Sequence, residues 1–300
     1  MANLSAQLDA YLLDLSWSLW TELGVAGVKR QHQDFLIDPE ELILLTSAIM
    51  ESDPRLRDEA LDWCVHNHHY ISVSRLRVLA KALESYIAVP FSLFSTTVNA
   101  VAGAHWPTFT SVSPLTFVPS NKSMLPKLDM PALLYFRLRT LFGVSARADV
   151  LAFFLSEEKT DFAAADVAEI GYSKRSIFDI LEGFSEISLL HRRTFRNQQR
   201  YSFEKRAQME KIVGPIPKYF LSWRHLLEVL LSLRGCIKAT ENKSLTTKVV
   251  EMRNLLLQLE NKLRVLRYTP PAMQADIQVY WESLSRWLLD KTQAVACPGI

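Results

Sequence analysis

The stretch that decides the fold runs from Ser145 to Arg206. It reads SARADVLAFFLSEEKT (145–160), DFAAADVAEIGYSKRSIFDILEGFSE (161–186) and ISLLHRRTFRNQQRYSFEKR (187–206). Ser145 precedes a run with helical apolar periodicity, so it is expected to act as a helix N-cap. The alanine-rich segment 162–170 predicts one short helix. Gly171 then provides the backbone freedom that a tight turn needs.

A second, amphipathic helix is predicted after this turn, with Ser173 as its N-cap. Its apolar residues recur at the spacing i, i+3, i+4, i+7, which places them on one buried face: Ile177, Ile180, Leu181 and Phe184. The opposite face begins with polar and cationic residues: Ser173, Lys174, Arg175, Ser176 and Asp179. This division suits a helix that packs on its own domain and offers its first turn to the DNA major groove.

A basic β-hairpin is predicted next, from two β-prone runs, Leu189–Phe195 and Arg200–Glu204, joined by residues 196–199. Between His191 and Arg206 the only acid is Glu204, and six residues are cationic: Arg192, Arg193, Arg196, Arg200, Lys205 and Arg206. So many cations on a short segment favour contacts with phosphates beside the groove.

This order of elements resembles the winged helix-turn-helix regulators of the ArsR and MarR type over roughly a fifth of the chain. The resemblance implies DNA contacts from the start of the second helix: Tyr172, Ser173, Lys174, Arg175 and Ser176. It also implies that the hairpin, or wing, grips phosphates or the minor groove through Arg192, Arg193, Arg196 and Arg200. The chain departs from the family in having Ser188 where Gly often precedes the first wing strand, and in lacking Gly at the wing tip.

Composition is that of a globular protein, with 49% hydrophobic and 22% charged residues. The formal net charge of +2 is nearly neutral, so affinity for nucleic acid must come from a local basic patch. Three widely spaced cysteines favour a reducing cytoplasm over a disulfide framework. The N-terminus lacks the pattern of a secretory signal, and no apolar segment reaches the length of a membrane span. We therefore expect a cytoplasmic protein with no membrane contact.

The predicted fold class is mainly α, in four parts. Residues 1–89 form a helical N-terminal domain, in which Asp38-Pro39 and Asp53-Pro54 start helices. Residues 90–130 contain five prolines, with a sixth at Pro131, and form an ordered, irregular connector that cannot be a continuous helix. Residues 131–214 form the winged helix-turn-helix domain, and 215–300 form a C-terminal helical bundle.

Other basic residues fall on predicted helices outside the hairpin. Residues 55–83 would form a second helix-turn-helix-like unit, with Arg75, Arg77 and Lys81 on its last helix. The bland alternative is a pair of ordinary amphipathic helices. Arg137 and Arg139 would extend the basic surface from the helix that precedes the winged helix, or would simply be solvated.

A heptad-like seam lies in the C-terminal part, at Val249, Met252, Leu256, Leu259, Leu263 and Leu266. It would close an antiparallel bundle inside the chain or pair two chains. Because winged-helix repressors commonly read two half-sites, we predict a homodimer.

Sites for metals, cofactors and catalysis are not predicted. Cys64, His66 and His68 lie close together, but zinc needs three or four convergent ligands and the chain has no second Cys/His pair at finger spacing. Phosphate-loop and hydrolase motifs are missing, which favours a protein that is not an enzyme. Three functions remain: first a sequence-specific regulator of double-stranded DNA, then a protein-interaction adaptor or antitoxin-like subunit, and last an enzyme whose catalytic groups converge from distant positions. The adaptor would use the winged helix only as a scaffold for a protein partner.

Overall fold

The computed structural model describes residues 4–27, 31–157 and 161–296. It is mainly helical, with one small three-stranded antiparallel sheet, which confirms the predicted fold class. Cys297, one of the three cysteines used to infer the compartment, lies outside the described residues.

The described residues of the N-terminal part form five α-helices: α1 (Leu4–Glu22), α2 (Pro39–Ile49), α3 (Pro54–Asn67), α4 (Val73–Ala82) and α5 (Glu84–Ala102). The two Asp-Pro starts are confirmed. The Asp38 carboxylate accepts a hydrogen bond from the Glu41 amide, and the Asp53 carboxylate accepts from the Arg55 amide. Each proline occupies a first-turn position, where its missing N–H costs no helical hydrogen bond.

Helix α5 runs through Pro90, so the expectation that the chain leaves helical structure there is wrong. Its side chains Ile87, Phe91 and Phe94 are fully buried, and this burial outweighs the hydrogen bond lost at one proline. Gly103 ends the helix in the left-handed region, at φ +64°.

Helix α5 is also the one helix in the described part of the chain that is long and apolar enough to cross a membrane, by length and composition alone. The expectation that no segment reaches this length is therefore wrong, because Pro90 does not divide it. Of its apolar window, 39% is buried inside the protein.

Residues 103–130 form no helix or strand, yet they are tied to the helices by hydrogen bonds. The carboxylate of Asp62 on α3 accepts from four consecutive backbone amides, those of residues 120–123, at 2.6–3.2 Å. These amides hold the pKa of Asp62 below its usual value, although burial acts in the opposite direction. The segment is therefore an ordered covering of α3 and α5.

The central part follows the topology of a winged helix-turn-helix. Its elements are α6 (Leu134–Phe142), α7 (Ala146–Ser156), β1 (Phe162–Ala163), α8 (Ala164–Ala168), α9 (Lys174–Glu186), β2 (His191–Phe195) and β3 (Gln198–Ser202). The strand order is β1-β3-β2, all antiparallel, with Phe162 opposite Tyr201 and Arg193 opposite Arg200.

Two details differ from the sequence expectation. The segment 162–170 is not one helix, because its first two residues pair with β3 before α8 begins. The loop between the wing strands is Arg196-Asn197 alone, not residues 196–199, because Gln198 and Gln199 already pair with β2. Both differences depend on strand pairing between residues distant in sequence.

The C-terminal part holds α10 (Arg206–Val213), α11 (Trp223–Thr240), α12 (Leu245–Gln258), α13 (Glu260–Val265) and α14 (Ile277–Ala296). The heptad-like seam spans α12 and α13 and packs against α11 inside the chain, in one hydrophobic cluster. Helix α14 packs against α1, so the N-terminal helices and the C-terminal bundle share this cluster. The winged helix has its own cluster, which includes Phe153, Phe162, Ile177, Leu181 and Tyr201.

Candidate nucleic-acid interface

The first turn of α9 presents its polar side chains to solvent. Ser173 caps the helix, since its hydroxyl oxygen accepts a hydrogen bond from the Ser176 amide at 3.1 Å. Lys174, Arg175 and Ser176 are exposed; the Arg175 side chain is 88% exposed and lies 3.5 Å from Asp179. The buried side chains of Ile177 and Leu181 anchor the opposite face.

Tyr172 differs from its neighbours because its hydroxyl is already occupied. It donates a hydrogen bond of 2.7 Å to the carboxylate of Asp149, which is fully buried. Burial, followed by the Asp149 charge, raises the pKa of the Tyr172 phenol. The side chain thus ties the helix-turn-helix turn to α7, and its hydroxyl is not presented to DNA bases as the family resemblance implied.

The wing tip is a two-residue turn in which Arg196 and Asn197 both have positive φ, at 46° and 61°. Two consecutive left-handed residues are the geometry of a type I′ hairpin turn. Ser188, at φ 55°, also adopts the left-handed region where the family often has Gly. The chain therefore keeps the backbone shape of a wing without glycine. At the tip, the exposed Arg196 guanidinium lies 5.4 Å from the Phe195 ring centroid.

Three of the four predicted phosphate-binding arginines are ion-paired within the protein. Arg193 lies 2.9 Å from the Asp161 carboxylate, and Arg200 contacts the same group. Arg200 is only 19% exposed and also donates to the Asp161 carbonyl at 2.9 Å. Arg192 pairs with Glu182 on α9.

The hydrogen bond from Arg193, with those from Arg200, lowers the pKa of Asp161. The Arg200 side chain is thus held against the protein, while the side chains of Arg192 and Arg193 are at least half exposed. The sequence shows Glu204 as the only acid within the hairpin. Asp161 and Glu182 are distant in sequence and reach the hairpin arginines only through strand pairing and helix packing, so their neutralising effect was not predicted.

The charge of the whole module is nearly balanced. Residues 161–206 contain eight Arg and Lys against seven Asp and Glu. In the part of the chain that the structure describes, no acid lies at ion-pair distance from Lys174 or Arg196. Lys174 and Arg196 therefore leave unneutralised positive charge at the first turn of α9 and at the wing tip, and Lys205 and Arg206, which donate to backbone carbonyls, add two more cations after β3.

A buried ionic network joins the helix-turn-helix turn to the N-terminal helices; we call it the Arg75–Arg139 network. Arg75 on α4 donates to the Ile170 carbonyl at 2.7 Å, to Asp38 at 2.8 Å and to Glu40 at 2.7 Å. Arg139 on α6 donates to Asp149 and to Glu40 at 2.8–3.1 Å.

All these charged side chains are 4% exposed or less, and the two guanidinium groups lie 5.6 and 5.2 Å from the Tyr135 ring centroid. Arg75 and Arg139 are thus internal, so the expectation that Arg139 extends the basic surface or is solvated is wrong. Charged groups are buried at this depth only when they are paired.

The turn itself is packed against the helical body. Gly171 has φ +104°, and a Cβ there would lie 2.9 Å from the Leu79 side chain on α4. Glu169, on the other side of the turn, lies 3.6 Å from both Arg224 and His225 on α11. The orientation of α9 is therefore set by α4 and α11 as well as by the winged helix.

The Cys64 region does not assemble a metal site. Cys64 lies in the core, where burial raises the pKa of its thiol well above the usual value. His66 is hydrogen-bonded to the Asp62 carbonyl and to Asn121, and His68 to the Val65 carbonyl. Within residues 4–27, 31–157 and 161–296, no group of three or more His, Cys, Asp or Glu side chains could hold a metal ion.

Comparison with known protein families, curated proteins and solved structures found no match to this chain.

Proposed function

We propose that the chain is a sequence-specific, double-stranded-DNA-binding transcriptional regulator that acts in the cytoplasm, as a homodimer. The observation that carries the proposal is the exposed first turn of α9 on a winged-helix scaffold. Lys174 and Arg175 lie beside a capped helix start, and the apolar face below them is buried. This arrangement supports the proposal, because a recognition helix meets base edges with the side chains near its N-terminal end.

Each part of the interface has a distinct role in this proposal. Arg175 would bond the O6 and N7 atoms of a guanine with two parallel hydrogen bonds, a contact worth roughly 1–3 kcal/mol of discrimination. Its weak pairing with Asp179 at 3.5 Å would be exchanged for this contact. Lys174 and Arg196 would neutralise phosphates, and Ser173 and Ser176 would hold the helix start in shape. The heptad-like seam is buried within the chain, so the dimer would use another surface.

The test is a binding selection on randomised duplex DNA with the wild type, Arg175→Ala and Arg286→Ala. Arg286 is an exposed arginine on α14, so its removal changes net charge equally without touching the winged helix. We expect the wild type and Arg286→Ala to select the same sequence and Arg175→Ala to lose preference at one or two positions. Equal preference in all three proteins would show that Arg175 does not read bases. Lack of any preference in the wild type would refute the proposal.

A protein-interaction adaptor or antitoxin-like subunit is the second candidate, and one observation favours it. Three wing arginines are neutralised by acids of the same module, while Phe178, Ile187 and Phe195 are 40%, 70% and 55% exposed there. Exposed apolar side chains on a charge-balanced module suit a protein partner. The two candidates differ in salt dependence, because phosphate contacts release counterions and DNA affinity then falls steeply with salt.

A further inference from the structure

A cavity of about 680 Å³, broadly open to solvent, lies along α12, α13, the following loop and the start of α14. Its floor is apolar and includes Leu256, Leu263 and Tyr280, each less than a tenth exposed. Its size falls in the range of small-molecule sites, roughly 300–1,000 Å³. All the residues that line this cavity belong to the C-terminal bundle, far in sequence from α9.

Three arginines line this cavity: Arg253, Arg264 and Arg267. Arg253 donates to the thioether sulfur of Met273 at 3.3 Å, a weak acceptor, and Arg264 donates to the neutral amide oxygen of Asn261 at 2.8 Å. Among the described residues, no carboxylate lies at ion-pair distance from any of the three. Glu260 is the one acid in the lining, so the lining carries two net positive charges.

We infer that this cavity binds a small organic anion that has one carboxylate and an apolar body. Guanidinium groups recognise carboxylates with paired, charge-assisted hydrogen bonds, and the three arginines lack such a partner. The buried leucines and Tyr280 would cover the apolar body. Ligand sites commonly combine an apolar lining with a few polar groups that orient the ligand.

Arg267 connects this cavity to the winged helix. It follows α13 with a left-handed φ of 56°, and it also lines a second cavity of about 290 Å³. The other wall of that second cavity includes Glu157 and Phe220. Phe220 packs 4.9 Å from Phe153, ring centroid to ring centroid, in the winged-helix core. A ligand that draws Arg267 toward the first cavity would change the lining of the second cavity beside Phe220, so the anion would act as an effector; this step rests on the proposed function.

Ligand binding is tested without DNA, by titration calorimetry of the full chain. The ligands are sodium decanoate and 1-naphthaleneacetate, and the neutral amide of each acid is titrated as its control. We expect one saturable site for at least one carboxylate, and affinity for its amide at least about tenfold lower. Arg253→Gln and Arg267→Gln should each weaken carboxylate binding about tenfold, whereas Arg286→Gln should not. All three residues are exposed, so the variants keep the core intact.

The inference is overturned if neither carboxylate saturates, if the amides bind equally well, or if Arg253→Gln and Arg267→Gln bind like the wild type. The effector step is measured separately, as the change in DNA affinity when the carboxylate is bound. Several-fold change supports the coupling, and unchanged DNA affinity overturns it. Carboxylate binding by a protein that selects no DNA would refute the proposed function and leave the cavity assignment standing.

Discussion

Replacement of Arg75 by Met tests whether the Arg75–Arg139 network holds the winged helix on the body. Met is flexible and apolar, so it fills much of the space of the arginine stem while removing the charge, its hydrogen bonds and the guanidinium contact with the Tyr135 ring. The variant leaves Asp38 and Glu40 with one cation fewer and leaves the Ile170 carbonyl without its donor.

The expected cost follows from this loss. Removal of one partner from a buried ion pair typically costs about 3–5 kcal/mol, because the remaining charge is left uncompensated. Burial raises the pKa of Asp38, but the charge and hydrogen bonds of Arg75, with the Arg139 charge and the Glu41 amide, together outweigh it, so the pKa of Asp38 lies below its usual value. Without Arg75 the carboxyl would take up a proton more readily, which limits the cost. We therefore expect the free energy of unfolding to fall by about 3 kcal/mol, near the lower bound.

The measurement is urea unfolding followed by circular dichroism, together with hydrogen exchange of the Gly171 and Tyr172 amides. These two amides donate to the Ala168 carbonyl within the turn, so they report on its integrity. The matched control is Arg77→Met, which removes an exposed arginine from the same helix. If Arg75→Met and Arg77→Met lose equal stability and leave exchange at the turn unchanged, the network does not hold the turn and the reasoning is refuted.

Three further predictions concern the wing, the buried carboxyl Glu41 and the oligomeric state. Arg196→Ala should reduce the slope of log DNA affinity against log salt concentration by about one unit. Arg200→Ala should mainly lower the stability of the fold, because Arg200 is paired with Asp161. Equal salt slopes for the two variants in filter-binding titrations would contradict this prediction. Burial, followed by the nearby Asp38 charge, raises the pKa of Glu41 well above its usual value. The protonated Glu41 carboxyl therefore contributes fully to the free energy of unfolding at a pH below the usual pKa of a glutamate. This contribution is lost as the pH rises through the pKa that Glu41 has in the folded state. Glu41→Gln should therefore gain stability relative to the wild type as the pH rises from 5 to 8, by about 1.4 kcal/mol per pH unit at most. Urea unfolding measures this, and a difference in the free energy of unfolding that stays constant with pH would refute it. Glu51→Gln, at an exposed position, is the control. Light scattering should give a dimer mass at tens of micromolar protein (roughly the range in which weak dimers form), and a monomer mass with and without DNA would contradict the dimer.

Local features of the fold were predictable because they depend on neighbours in sequence. The caps Asp38, Asp53, Ser145 and Ser173 accept hydrogen bonds from amides two or three residues ahead. The apolar face of α9 follows from helical periodicity alone. For the same reason the exposed cationic start of that helix, at Lys174 and Arg175, was visible in the sequence.

Features that depend on distant partners were decided only by the tertiary structure. Helix α5 continues through Pro90 because its apolar side chains find a core, and β1 exists because Phe162 meets Tyr201. Sequence periodicity also could not show that the heptad-like seam packs inside the chain.

Charge placement is the clearest case. An arginine in sequence looks equally basic whether it is solvated or buried, and only packing brings Asp161 to Arg200 and Glu40 to Arg139. The free energy of a charge depends on its surroundings through the local dielectric and its partners, and both are properties of the folded chain. The sequence by itself therefore determined the winged-helix pattern and its exposed helix start, while the tertiary structure decided which arginines remain available to a ligand.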